Sequence, residues 1–347
     1  APRAGGHHPG QRNVIVGGGC DGVEYSHGWN QSLAPRADTS IQYQVNYNKI
    51  QGNYIGFAPD GHFEYRFIAA QGRNDEQDGS GVNVIDVSNG NLVEGNWIAT
   101  HVNGVQIFGP QTANNIVRGN LIGTQRDGTS PLPNGNFGGI SISGSGSTIG
   151  GSVAGQGNVI AFNVNNGIAI NLNVSSDRIS QNSIYSNTSL GISLQNGSGA
   201  PLANDALDSD TVFGNHGQNY PVITSASVVA GTATLSGTIN SNPGTALHLE
   251  FFANAVCDAS GFGEGQTFIG STDVNTDGSG NASFGPLDFN GVPTGQAVIT
   301  STATSPAGET SALSQGPDAV SSATSNTDVH SRSPSTGGQW VACIATG

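Results

Sequence analysis

Residues 91–123 read NLVEGNWIATHVNGVQIFGPQTANNIVRGNLIG, and the fold of the chain turns on that stretch. One phrase occurs in it twice, NLVEGNWIA from Asn91 and NIVRGNLIG from Asn115, with GVQI at Gly104 between the copies. Outward from there the phrase returns as NKIQGNYIG from Asn48 and DRISQNSIY from Asp177, with a looser GNVIAFN from Gly157. Its second Asn falls at Asn53, Asn96, Asn120, Asn158 and Asn182, in steps of 43, 24, 38 and 24. The shorter phrase, Gly followed by apolar, any residue, apolar, stands at Gly81, Gly104, Gly139, Gly167 and Gly191, in steps of 23, 35, 28 and 24. Two unrelated landmarks share a period near 24.

Each landmark alternates apolar and polar residues over four or five positions, the period of a strand. No window carries the i, i+3, i+4, i+7 stripe of a helix. Units of about 24 residues with two or three short strands apiece describe the coils of a parallel β-solenoid. Val82, Val84, Val105, Ile107, Ile140, Ile142, Ile168, Ile170, Ile192 and Leu194 are expected to stack inward, coil upon coil, about 4.8 Å apart. Asn and Gly are expected at the corners because both tolerate the left-handed backbone. TQRDGTSPLPNGNFG, from Thr124, carries two prolines, and this insertion explains the 35-residue step as a loop projecting from the stack.

After Leu194 the period stops. Six strand candidates follow a polar stretch: ITSASVV, TATLSGTI, ALHLEFFAN, TFIGSTDV, NASFGPL and QAVITSTATSP. That density of short strands is expected of an antiparallel, immunoglobulin-like sandwich. The chain therefore divides into β-helix repeats over 1–200, with the first 45 residues irregular, an Asp/Asn-rich linker over 201–221, the sandwich over 222–318, and a Ser/Thr/Gly-rich tail over 319–347. The fold class is all-β.

STIGGSVAGQGNVIAFN, GNLIGTQRDGTSPLPNG and the run LGISLQNGSGAPLANDALDSDTVFGNHGQNYPVITSA resemble large bacterial secreted or surface proteins. So do LEFFANAVCDASGFGEGQTFIGSTDVNTDGSGNASF and SPAGETS. Those proteins are built of right-handed parallel β-helix repeats with an adjoining immunoglobulin-like module, and the likeness covers most of residues 48 to 315. It implies an extracellular, periplasmic or cell-surface location, and most members of the group have no established activity.

Composition removes whole classes of function. Against 24 Asp and Glu the chain has one lysine, Lys49, and nine arginines, giving a net charge of −14. Non-specific nucleic-acid binding rests on clustered Lys and Arg, so nucleic acid is not an expected partner. No run approaches the ~18 apolar residues of a membrane helix, so membrane insertion is not expected either. Met is absent, position 1 included, and a processed product or a fragment is expected. Three cysteines allow a Cys257–Cys343 bridge and equally allow three unlinked thiols.

The residues offer three candidate sites. Asp205, Asp208 and Asp210, with Asn204, Asn215 and Asn219, gather hard oxygen donors and suggest a structural calcium ion clamping two domains, though a solvated polar linker has the same composition. His62, Glu64 and Arg66 alternate along one strand face and are the candidates for a polysaccharide lyase or glycosidase groove. Tyr54, Phe57 and Trp97, among the aromatics Tyr43, Tyr47 and Phe108, are candidates for stacking on a sugar. The favoured function is a non-enzymatic extracellular structural or adhesive protein that takes polysaccharide or further protein chains as partners. A solenoid end needs a cap or a neighbour, so end-to-end contact between chains is also expected.

Overall fold

The computed structural model describes residues 46–56, 79–85, 87–135, 137–195 and 201–316 in full, and the backbone alone at 3–4, 14–15 and 23–25. His62, Glu64, Arg66 and Phe57 lie outside the described residues, as do the other two cysteines.

The alternating phrases form strands, and the strands form coils. Among the described residues six coils succeed one another, each giving one strand to each of three parallel sheets. The first is β1 (Arg3–Ala4), β2 (Val14–Ile15) and β3 (Val23–Tyr25), and the second β4 (Lys49–Gln51), β5 (Tyr54–Ile55) and β6 (Ser80–Ile85). The third is β7 (Leu92–Glu94), β8 (Trp97–Ile98) and β9 (Asn103–Phe108), and the fourth β10 (Ile116–Arg118), β11 (Leu121–Ile122) and β12 (Ile140–Ile142). The fifth is β13 (Thr148–Gly150), β14 (Val159–Ala161) and β15 (Ile168–Ile170), and the sixth β16 (Arg178–Ser180), β17 (Ser183–Tyr185) and β18 (Ile192–Ser193). The region expected to be irregular thus supplies the first coil, with Arg3 in register with Lys49, Val14 with Tyr54 and Val23 with Val82. Its phrases diverge from the repeat, but parallel pairing asks only for strands of compatible length.

Register stacks like on like. Ile55, Ile98, Ile122, Ile160 and Ile184 follow one another in the second sheet, and Val82, Val105, Ile140, Ile168 and Ile192 in the third. These side chains and the other expected inward residues are buried. The interior is narrow, and β-branched residues with one preferred χ1 fill it without loss of order.

The corners carry left-handed Gly and Asn as expected, Gly56, Gly123, Asn114 and Asn165 among them, but the repeating Asn are not those residues. At four of the five repeating Asn the left-handed residue is the one before: Gly52, Gly95, Gly119 and Gln181 have φ of 68°, 63°, 63° and 49°. The Asn itself is there for its side chain. Asn53, Asn96, Asn120, Asn158 and Asn182 point inward and form a ladder in which each side-chain oxygen accepts the backbone N–H of the Asn one coil earlier, at 2.9–3.0 Å. The amide nitrogens donate to carbonyls such as Ile50 O and Val93 O and to the next amide. A second ladder runs along the corner before the first sheet, and a third, with Asn134, Asn163 and Asn187, after the second sheet. Buried amides are tolerated because every rung satisfies the next.

From residue 222 the pairing becomes antiparallel. β19 (Val222–Val229), β20 (Thr232–Asn240) and β23 (Asn281–Asn290) make one sheet. β22 (Thr267–Asn275), β21 (Ala246–Asn254) and β24 (Val298–Thr304) make the other. All six expected strands are present. Phe251 lies between Phe284 and Phe289, with ring centroids 5.5 and 5.2 Å away, at the centre of a core shared by both sheets. Residues 311–314 return along β24, Ser311 N donating to Ala303 O and Ser314 N to Ser301 O.

Candidate functional site

Tyr54 and Trp97 occupy neighbouring outward positions in the second sheet, one coil apart, and stack with centroids 4.9 Å apart at 23°. They are not an open platform. The proline-bearing insertion expected to project instead folds back over them: Leu132 N donates to Gly123 O, Thr100 N to Pro133 O and Gly135 N to His101 O. Leu132 packs with Tyr54 and Ala99 into a small outer core, leaving Tyr54 only 7% exposed. The Arg126 guanidinium sits 5.8 Å over the Tyr54 ring, and Trp97 Nε1 donates to Arg126 O. Trp97 remains half-buried. The prolines break strand pairing, while the apolar Leu132 between them draws the loop onto the sheet.

Asp205, Asp208 and Asp210 lie on the approach to the sandwich. Asp208 is buried, its two oxygens taking hydrogen bonds from Asn219 N at 2.8 Å and Ser241 Oγ at 2.8 Å. Asp205 accepts from the N–H and hydroxyl of Ser209. Among the described residues, no three His, Cys, Asp or Glu side chains gather so as to hold a metal ion, and these three aspartates are not drawn into one cage. Residues 201–221 are no loose tether: Asn215, Gln218 and Asn219 are buried in them. Cys257 is disulfide-bonded, to a partner outside the described residues.

Among the described residues, the densest constellation of buried titratable groups is one that no motif singled out. It lies where the sandwich sits on the sixth coil. Ile184 and Gly265 exchange two backbone hydrogen bonds of 2.8 Å, extending the pairing of β17 into the sandwich. The Ile179 N–H donates to Thr310 Oγ1 at 2.9 Å. Glu250, on β21, accepts from Ser180 Oγ at 2.6 Å and Gln181 N at 2.9 Å, and Glu264 accepts from Ser186 N at 2.7 Å. Phe252 and Leu313 complete the apolar plug, packing with the last coil's Ile and Leu side chains. The sandwich is therefore the cap of the solenoid.

Burial sets the electrostatics of this seam. It pushes Asp177 up to about 7 and Glu264 up to about 8, and it also raises Glu250, although Ser180 and Gln181 donate to that carboxylate. His216 pairs with Glu309 at 2.7 Å. On the solenoid, burial lowers His101 to about 4, so that its ring stands neutral beside the third ladder, where its backbone N–H donates to Asn134 Oδ1. Partners 69 to 131 residues apart make the seam, and no local motif announces it.

No protein-family model matches the chain, and no curated protein is detectably similar to it.

Proposed function

We propose that the chain is a non-enzymatic structural or adhesive element that works outside the cell, holding out a stiff β-helical rod sealed by its sandwich. The observation that carries this reading is the use of the polar groups: the Asn ladders and the seam carboxylates are engaged in bracing the stack. From the first coil to the sixth, five strand spacings make a rod of roughly 24 Å. The reading of the sandwich as an immunoglobulin-like module rests on its connectivity, with the first, second and fifth strands in one sheet and the fourth, third and sixth in the other. The secreted bacterial setting rests on the sequence resemblance alone.

Polysaccharide is the ligand class of this proposal, with half-buried Trp97 beside Arg126 as the contact. Contact between chains is its second part, supported by β1, β2 and β3, which among the described residues pair on one side only. The test is incubation with acidic and neutral polysaccharides, following unsaturated uronate absorbance and new reducing ends. Binding without turnover, weakened by Trp97→Ala, is expected. Turnover abolished by Glu64→Gln or Arg66→Ala would show an enzyme instead. Sedimentation that stays monomeric through the micromolar range would remove chain-to-chain contact.

A further inference from the structure

The ladder at the corner before the first sheet runs through Asn48, Asn91, Asn115, Ser147, Asp177 and Asn215. Its Asn rungs share one geometry, from which Ser147 departs: its hydroxyl takes no part, and the link there is Thr148 N donating to Asn115 O at 2.8 Å. A side-chain oxygen accepts the N–H of the previous coil, as in Asn48 N to Asn91 Oδ1 and Asn91 N to Asn115 Oδ1, both 2.9 Å. The amide nitrogen then donates to a backbone carbonyl: Asn115 Nδ2 to Ser88 O at 2.9 Å, and Asn215 Nδ2 to Asp177 O at 2.8 Å and Thr310 O at 2.9 Å.

Asp177 follows this pattern with half its side chain. Its Oδ1 accepts Ser147 N at 2.7 Å, as an Asn rung would. Its Oδ2 takes the place of the amide nitrogen, and there it is buried with no hydrogen-bond partner. A carboxylate has no hydrogen to give at a position where the Asn rungs, Asn115 and Asn215, are donors. A carboxylic acid has one.

We propose that Asp177 takes its rung as a neutral carboxylic acid, so that the joint between solenoid and sandwich tightens in acid and slackens in base. The position matters because Asp177 sits at the seam: its carbonyl accepts from Asn215 and from Thr310 N, and its N–H donates to Asn215 Oδ1. The charged groups around it agree. Ser147, the neighbour on the preceding coil, donates its backbone N–H to the carboxylate and favours the charged form, but desolvation outweighs it, and Glu309 faces Asp177 from the sandwich and disfavours a second negative charge. Glu309 is paired with His216. Arg178, next in the chain, extends its guanidinium towards Gly308 and Glu250. Desolvation is the largest cause of the rise of Asp177 to about 7. Glu264, beside Asp258 and raised to about 8, adds a second seam carboxyl of the same sign.

For an acid raised in the folded state, the contribution to stability is full below the unfolded pKa of about 4. It drains away as the pH climbs and is gone once the pH has passed the folded value near 7. The loss is between about tenfold and a thousandfold in the folding equilibrium.

The test is unfolding of the full chain from pH 4 to 9, beside Asp177→Asn, which supplies the amide permanently. The wild type should lose stability across that range, and the variant should lose at least tenfold less and be the more stable of the two above pH 7. Carbon-13 NMR of the wild-type chain labelled at Asp carboxyls gives a readout that needs no variant: one Asp should titrate near pH 7. Parallel stability profiles for the two proteins, or Asp carboxyls that all titrate below pH 5, would overturn the proposal. Glu264→Gln should flatten a separate part of the profile without moving that Asp signal.

Discussion

The solenoid and the sandwich close their cores with different chemistry. In the solenoid the interior holds Ile and Val in single file, flanked at the corners by buried Asn side chains that bond from coil to coil. In the sandwich the interior mixes aromatic rings with Leu, Ile and Ala, with Phe251, Phe284, Leu235 and Leu249 meeting across two sheets. The solenoid's stability is a sum of rungs, and one bad rung leaves donors stranded on both sides. The sandwich core spreads a change over many contacts and accepts another apolar shape.

The largest expected effect follows directly. Asn120→Leu keeps the bulk but removes the acceptor of Asn96 N and the donor to Val93 O and Asn158, and should cost about 3–5 kcal/mol in urea unfolding. A loss below about 1 kcal/mol would mean that the ladder is incidental. Next comes the seam. Thr310→Val keeps the shape but strands the buried Ile179 N–H, so a loss of about 1–2 kcal/mol is expected, with faster hydrogen exchange at that amide. Unchanged exchange there would show that the sandwich does not cap the coil in solution.

Within the sandwich core, Leu249→Met should cost less than about 1.5 kcal/mol, since Met adapts to the same volume. A cost equal to that of Asn120→Leu would erase the contrast between the two regions. Gly95→Ala sharpens it from the other side. A Cβ at Gly95 meets open space, so only the left-handed backbone at φ 63° opposes it, at about 1 kcal/mol. The smallest effect concerns the Asp-rich approach to the sandwich. With Asp208 already held by Asn219 and Ser241, calcium, magnesium and chelator should give the same melting curve. A rise with calcium alone, lost in Asp208→Ala, would restore the clamp.

Much of the fold was legible in particular residues. The 24-residue recurrence of Asn96 and Asn120 and the alternation in GVQI and GISI set the coil and its inward face, because strand period and stacking are local properties. The role of the Asn was half legible. Its recurrence marked a corner, but the left-handed turn belongs to the preceding Gly, and only stacking at one-coil spacing turns an Asn into a rung. Tyr54 and Trp97 read as candidates for stacking on a sugar because nothing nearby in the chain told that Leu132 would fold over them.

The sequence by itself determined the all-β class, the parallel coils, the inward Ile and Val, and the six antiparallel strands, since each depends on residues a few positions apart or on one repeating period. Tertiary structure alone decided that the sandwich caps the sixth coil, that Thr310 meets Ile179 and Glu250 meets Gln181, and that Asp177 is shut away beside Glu309. The physical reason is that burial, desolvation and hydrogen-bond partnership are set by what arrives from far along the chain, and an aspartate in a ladder of asparagines differs from its neighbours only once water has been excluded from it.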